Sequence, residues 1–175
     1  MKKIMWAAVA LTLFAMTSRA QETPKADVSV GYSYLRITTG GGLNMNGFSG
    51  SVAFNATNVI GIVGDFGYYH ASPTGGTLNA ESYTFGPRFS IRKNEKAVPF
   101  VQALFGGSHL SAAAGGLSGS ANPFAYSFGG GVDFALKGDK VGLRPQFDYV
   151  GLRSNGTTAN SVRIGVGLVF HIGQK

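Results

Sequence analysis

Apolar and polar residues alternate along most of the chain after residue 20. Alternation with a period of two is typical of β-strands, because successive side chains of a strand point to opposite faces of the sheet. The 3.6-residue period of an amphipathic helix is missing from this part of the sequence. The pattern predicts eight strands, at about residues 27–38, 47–56, 59–70, 81–92, 97–109, 124–136, 141–153 and 161–172.

Each predicted strand has one bulky apolar face and one face of small or polar residues. Large side chains occupy the apolar face, for example Val30, Phe48, Phe85, Phe128 and Val166. Gly, Ser and Ala dominate the other face. A solvated protein surface usually carries many Lys and Glu residues, whereas small side chains suit a narrow interior. The two faces therefore indicate an outer wall in contact with lipid and a small polar lumen.

Strand lengths and the links between strands agree with this interpretation. The segments are about 10–13 residues long, and tilted transmembrane strands need about 9–11. Short links alternate with longer ones, namely 56–58, 93–96 and 137–140 with 39–46, 71–80, 110–123 and 154–160. Outer-membrane barrels have short periplasmic turns and longer extracellular loops, so we expect both termini in the periplasm. The predicted fold is all-β, an eight-stranded antiparallel transmembrane β-barrel with up-and-down meander topology; a water-soluble sandwich or barrel is the alternative.

Three prolines fall within the predicted strands, although proline has no N–H group to donate to a ladder. Pro99 lies near a strand start, where this loss is tolerated. Pro87 and Pro145 lie in strand interiors. We expect a bulge or a local break of the ladder at both positions.

The first twenty residues have the layout of a secretory signal peptide. A short positive start is followed by an almost unbroken apolar stretch at residues 4–16, and Ser18 and Ala20 supply the small residues before a cleavage site. This stretch is too short to cross a bilayer as a helix, which needs about 20 residues. We expect a cleaved signal peptide at residues 1–20 and a single barrel domain at residues 21–175 in the outer membrane.

Composition limits the chemistry that the chain supports. It has no cysteine, which excludes disulfides, thiolate zinc sites and a cysteine nucleophile. The formal net charge is +7, but the basic residues form no run, so no nucleic-acid partner is expected. His70, His109 and His171 fall at different strand ends and cannot converge. We therefore expect neither a metal site nor another cofactor.

Six charged residues share the polar face of the predicted strands: Asp65, Arg88, Asp133, Arg144, Asp148 and Arg163. A tight turn at 137–140 places Asp133 opposite Arg144. The hairpin signal Asn155-Gly156 likewise places Asp148 opposite Arg163. A turn at Gly76-Thr77 pairs Asp65 with Arg88. Because an unpaired charge in a dry interior costs several kcal/mol, we predict a lumen charge network of ion pairs that closes the barrel, with a gated proton or ion path as the alternative.

His109 and Ser111 form one arrangement that suggests catalysis. An H-x-S pair on the outer part of a barrel strand is similar to the lipid A deacylase barrels, which add a downstream Glu. No Glu follows Glu95 in this sequence. A Ser–His pair without an orienting carboxylate is a poor nucleophile. We predict no catalytic residues and no enzyme, with a lipid A-modifying enzyme as an alternative.

Three segments resemble the small eight-stranded outer-membrane barrels of the OmpA/OmpX type. These are residues 99–107 (PFVQALFGG), 142–149 (GLRPQFDY) and 161–170 (SVRIGVGLVF). The chain departs from that family because residues 171–175 follow the aromatic Phe170, and no peptidoglycan-anchoring domain is expected. The resemblance implies a non-enzymatic structural, adhesive or minor-permeability role.

The same resemblance indicates which partners to expect. We expect a monomer that contacts outer-membrane lipid and lipopolysaccharide, and that meets the outer-membrane assembly machinery through its C-terminal strand, Ser161 to Phe170. Any surface ligand is expected at the extracellular loops, and the link at residues 110–123 is the strongest candidate because it is the longest. A soluble lipocalin-like binder of small ligands is the remaining alternative.

Overall fold

The computed structural model describes residues 23–94, 96–137 and 140–174, so the expected signal peptide lies outside the described residues. No helix among the described residues is long and apolar enough to cross a membrane. The described strands are β1 Pro24–Ile37, β2 Leu43–Asn55, β3 Ile60–Ala71, β4 Gly76–Ser90, β5 Ala97–Ala114, β6 Leu117–Ala121, β7 Phe124–Lys137, β8 Val141–Ser154 and β9 Thr157–Gln174.

The strands form a closed ring of antiparallel pairs. Within the ring each strand pairs with the next, β5 pairs with both β4 and β7, and β1 closes the ring on β9. The short strand β6 continues β7 along β5 in the same register and extends beyond the ring, where β5 is its one partner among the described strands. The fold is therefore a closed eight-stranded antiparallel barrel with meander topology, which confirms the prediction from the alternating pattern.

The two ends of the barrel differ. The start of β1, the end of β9 and the links β2–β3, β4–β5 and β7–β8 lie at one end, which we call the terminal end. The links β1–β2, β3–β4, β5–β6 and β8–β9 lie at the opposite end, which we call the hairpin end. Antiparallel pairing of consecutive strands requires this alternation.

Side chains alternate between the outer wall and the lumen along each strand. In β3, Ile62 and Phe66 face outward and are 60% and 45% exposed, whereas Val63 and Asp65 face inward and are buried. Bulky apolar residues cover the outer wall on all eight strands of the ring. Such a wall is unfavourable in water and favourable in hydrocarbon.

Strands extend further at the hairpin end than the alternating pattern predicts. β4 starts at Gly76 and β9 at Thr157, and β5 continues to Ala114. The sequence predicts loops here because Gly, Ser, Thr and Asn replace the bulky residues. The ladders continue nonetheless, since two-residue turns at Gly115-Gly116 and Asn155-Gly156 adopt the positive φ values that tight hairpins require. The link at residues 110–123 is consequently a paired hairpin and not a loop.

Neither interior proline shifts the register. The β4–β5 pairing has the same register before and after Gly86-Pro87, and the β7–β8 pairing has the same register on both sides of Pro145. Each proline coincides with a gap in one ladder, because its missing N–H removes a bond there. Of the two outcomes expected from sequence, the structure shows the local break. The recorded register irregularity in β7–β8 lies instead at Ala135/Lys137, beside the turn.

Candidate functional site

The lumen contains two buried ion-pair clusters at mid-barrel. In the first, Arg144 on β8 binds Asp133 on β7 through two contacts, Nε to Oδ1 at 2.5 Å and Nη2 to Oδ2 at 2.7 Å. Its Nη1 also donates to the hydroxyls of Ser29 and Ser51 across the lumen. Two parallel contacts of this kind form the strongest geometry for a guanidinium and a carboxylate. The predicted opposition of Asp133 and Arg144 is present.

The second cluster is centred on Arg163 of β9. Arg163 Nε donates to Asp148 Oδ2 at 2.9 Å, and its Nη1 donates to Asp65 Oδ1 at 2.6 Å on the far wall. The β8–β9 register pairs Asp148 with Arg163, as the Asn155-Gly156 turn predicts. Gln146 Nε2 also donates a hydrogen bond to Asp148 Oδ2 at 2.8 Å. One arginine therefore serves two carboxylates and ties three strands together.

The predicted pairing of Asp65 with Arg88 is wrong. The β3–β4 register places Asp65 opposite Thr84 and Arg88 opposite Gly61. The turn closes earlier than Gly76-Thr77, because Gly76 N donates to Pro73 O at 2.9 Å. This shorter connection slides the two charges apart along the ladder. Asp65 instead reaches Arg163 across the lumen.

Arg88 has no carboxylate partner within ion-pair distance among the described residues. Its Nε and Nη2 donate to Gln102 Oε1 at 3.0 and 2.8 Å, and Gln102 Nε2 donates onward to Asp148 at 3.3 Å. The Phe100 ring contacts both Arg88 and Arg144, whose guanidinium carbons lie 4.3 and 4.9 Å from its centroid. Phe100 thus offers each of the two cations a cation–π contact.

Phe100 is a residue that sequence reasoning missed. It shares the inward parity of Gln102, which is a sufficient signal, but its bulk suggests the lipid face. The residues that fill the hairpin end of the lumen likewise have inward parity, and most of them are bulky. That end is closed by a buried apolar cluster, which we call the apolar plug: Leu35, Met45, Tyr69, Ala71, Ala80, Ala125, Val150 and Leu152.

A third polar cluster closes the terminal end. Asp27 on β1 is 1% exposed and lies 2.6 Å from His171 Nδ1 on β9. Arg92 Nη2 and Asn55 Nδ2 each donate to its other oxygen at 2.9 Å. Two cavities that described residues line inside the barrel measure about 20 Å³ each, which is room for a single water molecule. The three polar clusters and the apolar plug thus fill most of the lumen that the described residues enclose.

The hairpin end carries a sheet extension outside this filled ring. The first part of β4 pairs with the end of β5, and β5 pairs in turn with β6, through residues 110–114 and 117–121. All five residues of β6 are exposed. A groove of about 350 Å³ runs along this extension and is lined by Thr77, Asn79, Ser111, Ala112, Ala113, Ser118, Gly119 and Ser120. We call β6 and the paired parts of β4 and β5 the β4–β6 extension.

His109 and Ser111 lie at the base of this extension. His109 lies opposite Glu81 in the β4–β5 ladder. Glu81 precedes His109 in the sequence, so this carboxylate is not among the residues that follow the His-x-Ser pair. His109 Nδ1, however, lies 2.6 Å from the amide oxygen of Asn122. The structure records no ion pair between His109 and Glu81, and no hydrogen bond between His109 and Ser111. The three residues share a face without forming a relay.

Comparison with known proteins identifies the family. Residues 6–170 match the family described as outer membrane protein beta-barrel domain. The chain belongs to this family. The family places the protein in the bacterial outer membrane. The expectation from sequence that both termini lie in the periplasm assigns the terminal end to the periplasmic side and the hairpin end to the extracellular side.

Solved outer-membrane barrels share this fold. Neisserial surface protein A aligns with a TM-score of 0.71 at 14% identity, over 85% of this chain and 97% of that chain. The attachment invasion locus protein Ail of Yersinia pestis aligns at 0.60 and 22% identity, over 85% and 99%. The N-terminal barrel of Pseudomonas aeruginosa OprF aligns at 0.56 and 16% identity, over 86% and 100%. No curated protein matches the sequence.

Proposed function

We propose that this chain is a non-enzymatic outer-membrane protein that attaches to protein partners at the cell surface through the free edge of β6. Three features of the barrel support an external site. The lumen is filled, the outer wall faces lipid, and of the two water-exposed ends the hairpin end is the one assigned to the cell exterior. The observation that carries the proposal is that β6 pairs on one side and is exposed along its whole length.

The pairing pattern indicates which backbone groups face the free edge. Ser108 N donates to Pro123 O at 3.0 Å, so residues 108 and 123 form a hydrogen-bonded pair. Bonded and non-bonded pairs alternate along an antiparallel ladder. Leu117, Gly119 and Ala121 therefore bond to β5, whereas the N–H and C=O groups of Ser118 and Ser120 point away from it.

Such an edge is a template for strand addition. An extended peptide gains main-chain hydrogen bonds when it lies beside an unpaired strand. Proteins usually protect exposed edges with Lys, Pro or a bulge, and residues 117–121 (LSGSA) contain no charge and no proline. The open edge of β6 is therefore suited to an extended segment of another protein.

Proline substitution tests this proposal. Ser118→Pro combined with Ser120→Pro removes two outward donors and leaves the bonds to β5 in place. The matched control, Ser118→Ala with Ser120→Ala, changes the side chains and keeps the donors. Attachment of bacteria that display each variant to protein-coated surfaces is measured against cells without the protein. We expect loss with the proline variant alone; equal attachment of both variants overturns the proposal.

A wide-pore function disagrees with this lumen. Ion pairs fill the middle of the barrel and the apolar plug seals its extracellular end. We expect no stable wide conductance when the purified protein is inserted in planar bilayers. A large, persistent open state would favour the permeability role instead.

The lipid A-modifying alternative has one observation in its favour, the position of Glu81 opposite His109. Its test is the lipid A acylation pattern of cells that express the wild-type protein or Ser111→Ala. Because His109 is bonded to Asn122 and not to Ser111, we expect both patterns to equal that of cells without the protein. An acyl chain that disappears with the wild type and returns with Ser111→Ala would show an enzyme.

A further inference from the structure

Exposed lysines lie at one end of the barrel and exposed arginines lie at the other. The lysines that are exposed among the described residues lie at the periplasmic end, namely Lys25, Lys93, Lys96 and Lys140. The arginines that are exposed, Arg36 and Arg153, both lie at the extracellular end, and the other described arginines are inside the barrel or at its periplasmic mouth. Arginine differs from lysine in presenting a planar fork that matches phosphate geometry.

Both exposed arginines face outward on one side of the barrel. Arg36 on β1 pairs with Val162 on β9, and Arg153 on β8 pairs with Thr158 on the same strand. The two arginines lie on the strands that flank β9, and their partners on β9 are four residues apart. Their Cα atoms are therefore on the order of 15 Å apart. Asn160 lies between them on the outward face of β9. No acidic residue of the described chain faces outward on β8, β9, β1 or β2.

Tyrosine–asparagine pairs mark the level of these arginines. Tyr32 donates to Asn46 Oδ1 at 2.5 Å, and Tyr149 donates to Asn160 Oδ1 at 2.7 Å, each across one strand pair. Because the amide oxygen accepts these bonds, the amide N–H groups remain as donors. Arg36 Nη1 likewise donates to Asn44 Oδ1 at 2.8 Å, which orients its guanidinium. Outward tyrosines are typical of the boundary between hydrocarbon and headgroups.

We propose that Arg36 and Arg153, with the amide of Asn160 between them, form a binding site for the phosphate groups of an outer-leaflet glycolipid. The occupant follows from position and charge. The patch is cationic, it faces neighbouring lipids and it lies at headgroup level on the extracellular side. The ligand class is a phosphorylated sugar headgroup, whose phosphates meet the arginines and whose hydroxyls meet the amides. This site needs the outer-membrane placement of the barrel and is independent of the β6 edge.

Lipid titration of the purified full-length protein tests the site. The probes are lipopolysaccharide, the same lipopolysaccharide with its phosphates removed, and phosphatidylglycerol. The variants are Arg36→Gln with Arg153→Gln, and the charge-matched control Lys25→Gln with Lys140→Gln at the periplasmic end. Binding is read from the rise in the thermal unfolding midpoint with added lipid, and folding of each variant is checked by its heat-modifiable gel migration.

We expect the arginine variant to bind lipopolysaccharide about 10- to 30-fold more weakly than the wild type, because each cation near an anionic surface contributes about 1 kcal/mol, and a tenfold change is about 1.4 kcal/mol. The lysine control should bind like the wild type, and dephosphorylated lipid should bind wild type as weakly as intact lipid binds the arginine variant.

Equal binding by the wild type and the arginine variant overturns the site. Equal binding of intact and dephosphorylated lipid to the wild type overturns it without any variant. Phosphatidylglycerol binding as tight as that of lipopolysaccharide overturns the assignment to a glycolipid.

Discussion

The closed ring and the β4–β6 extension are built from the same antiparallel pairing but end differently. In the ring every strand has two neighbours, so no row of N–H and C=O groups is left open. In the extension the pairing stops at β6, which has a neighbour on one side. Hydrocarbon requires the first arrangement, because an unpaired backbone group there costs several kcal/mol. Water permits the second.

Side chains follow the same division. The ring places bulky residues outside and buries arginine and aspartate inside, so most substitutions disturb either lipid contact or a buried ion pair. The extension carries Ser, Gly and Ala with few contacts to lose. The ring is therefore the rigid, closed part of the molecule, and the extension is the part whose exposed backbone can bind a partner. Substitutions of the same kind should have different effects in the two regions.

The largest effect is expected in the lumen of the ring. Asp133→Ala or Arg144→Ala alone leaves a buried charge without its partner and should cost about 3–5 kcal/mol. The double variant should cost less than the sum of the two, because both charges are then absent. Denaturant unfolding in detergent micelles measures all three. Strict additivity would show that the two residues do not interact.

A smaller effect is expected on the outer wall. Phe128→Arg or Val166→Arg places a charge at mid-wall and should cost about 2–4 kcal/mol, enough to impair assembly. Leu117→Arg in the extension should assemble normally, since that side chain is already 80% exposed. Gly165→Ala on the luminal face should also be mild, because the nearest atom to the new methyl group is 3.5 Å away. Heat-modifiable gel migration reports assembly, and equal tolerance at all four sites would contradict the assigned faces.

The smallest effect on stability is expected from removing the edge itself. Replacing residues 110–123 with a short Gly-Ser link should change the loop-closure term by about 1 kcal/mol, and the further loss is the β4–β5 pairing at residues 110–114, which lies beyond the ring. The barrel should remain folded, whereas attachment through the β6 edge should be lost. Retained attachment by a folded variant would transfer the binding role to the other extracellular links, at residues 38–42 and 72–75.

Much of the ring is predictable from the sequence because one physical signal repeats in every strand. Alternation fixes which face is which, and the Asn155-Gly156 turn fixes the β8–β9 register that joins Asp148 to Arg163. The partner of Asp65 is not predictable in this way. Its turn at residues 72–75 has no comparable two-residue signal, and its actual partner, Arg163, lies across the lumen on a strand far away in sequence.

The extension is missed for a different reason. Small and polar residues at 110–123 remove the alternation that marks a strand, so the sequence predicts a loop. Pairing there depends on the Gly115-Gly116 turn and on β4 beside it, and not on a buried face. The same limit applies to Phe100 and the apolar plug, whose bulk suggests lipid although their parity points inward. In this barrel, the position of a residue in the alternating pattern predicts whether it faces the lumen better than the size of its side chain does.

Amide hydrogen exchange along β6 tests most directly whether the extension has an open edge while the ring does not. We expect rapid exchange at Ser118 and Ser120, slower exchange at Gly119 and Ala121, whose N–H groups bond to β5, and strong protection at ring positions such as Ser127. The Ser118 and Ser120 amides should become protected when a strand-adding peptide is bound. Protection of Ser118 and Ser120 equal to that of the ring in the free protein would show a closed edge and contradict the account.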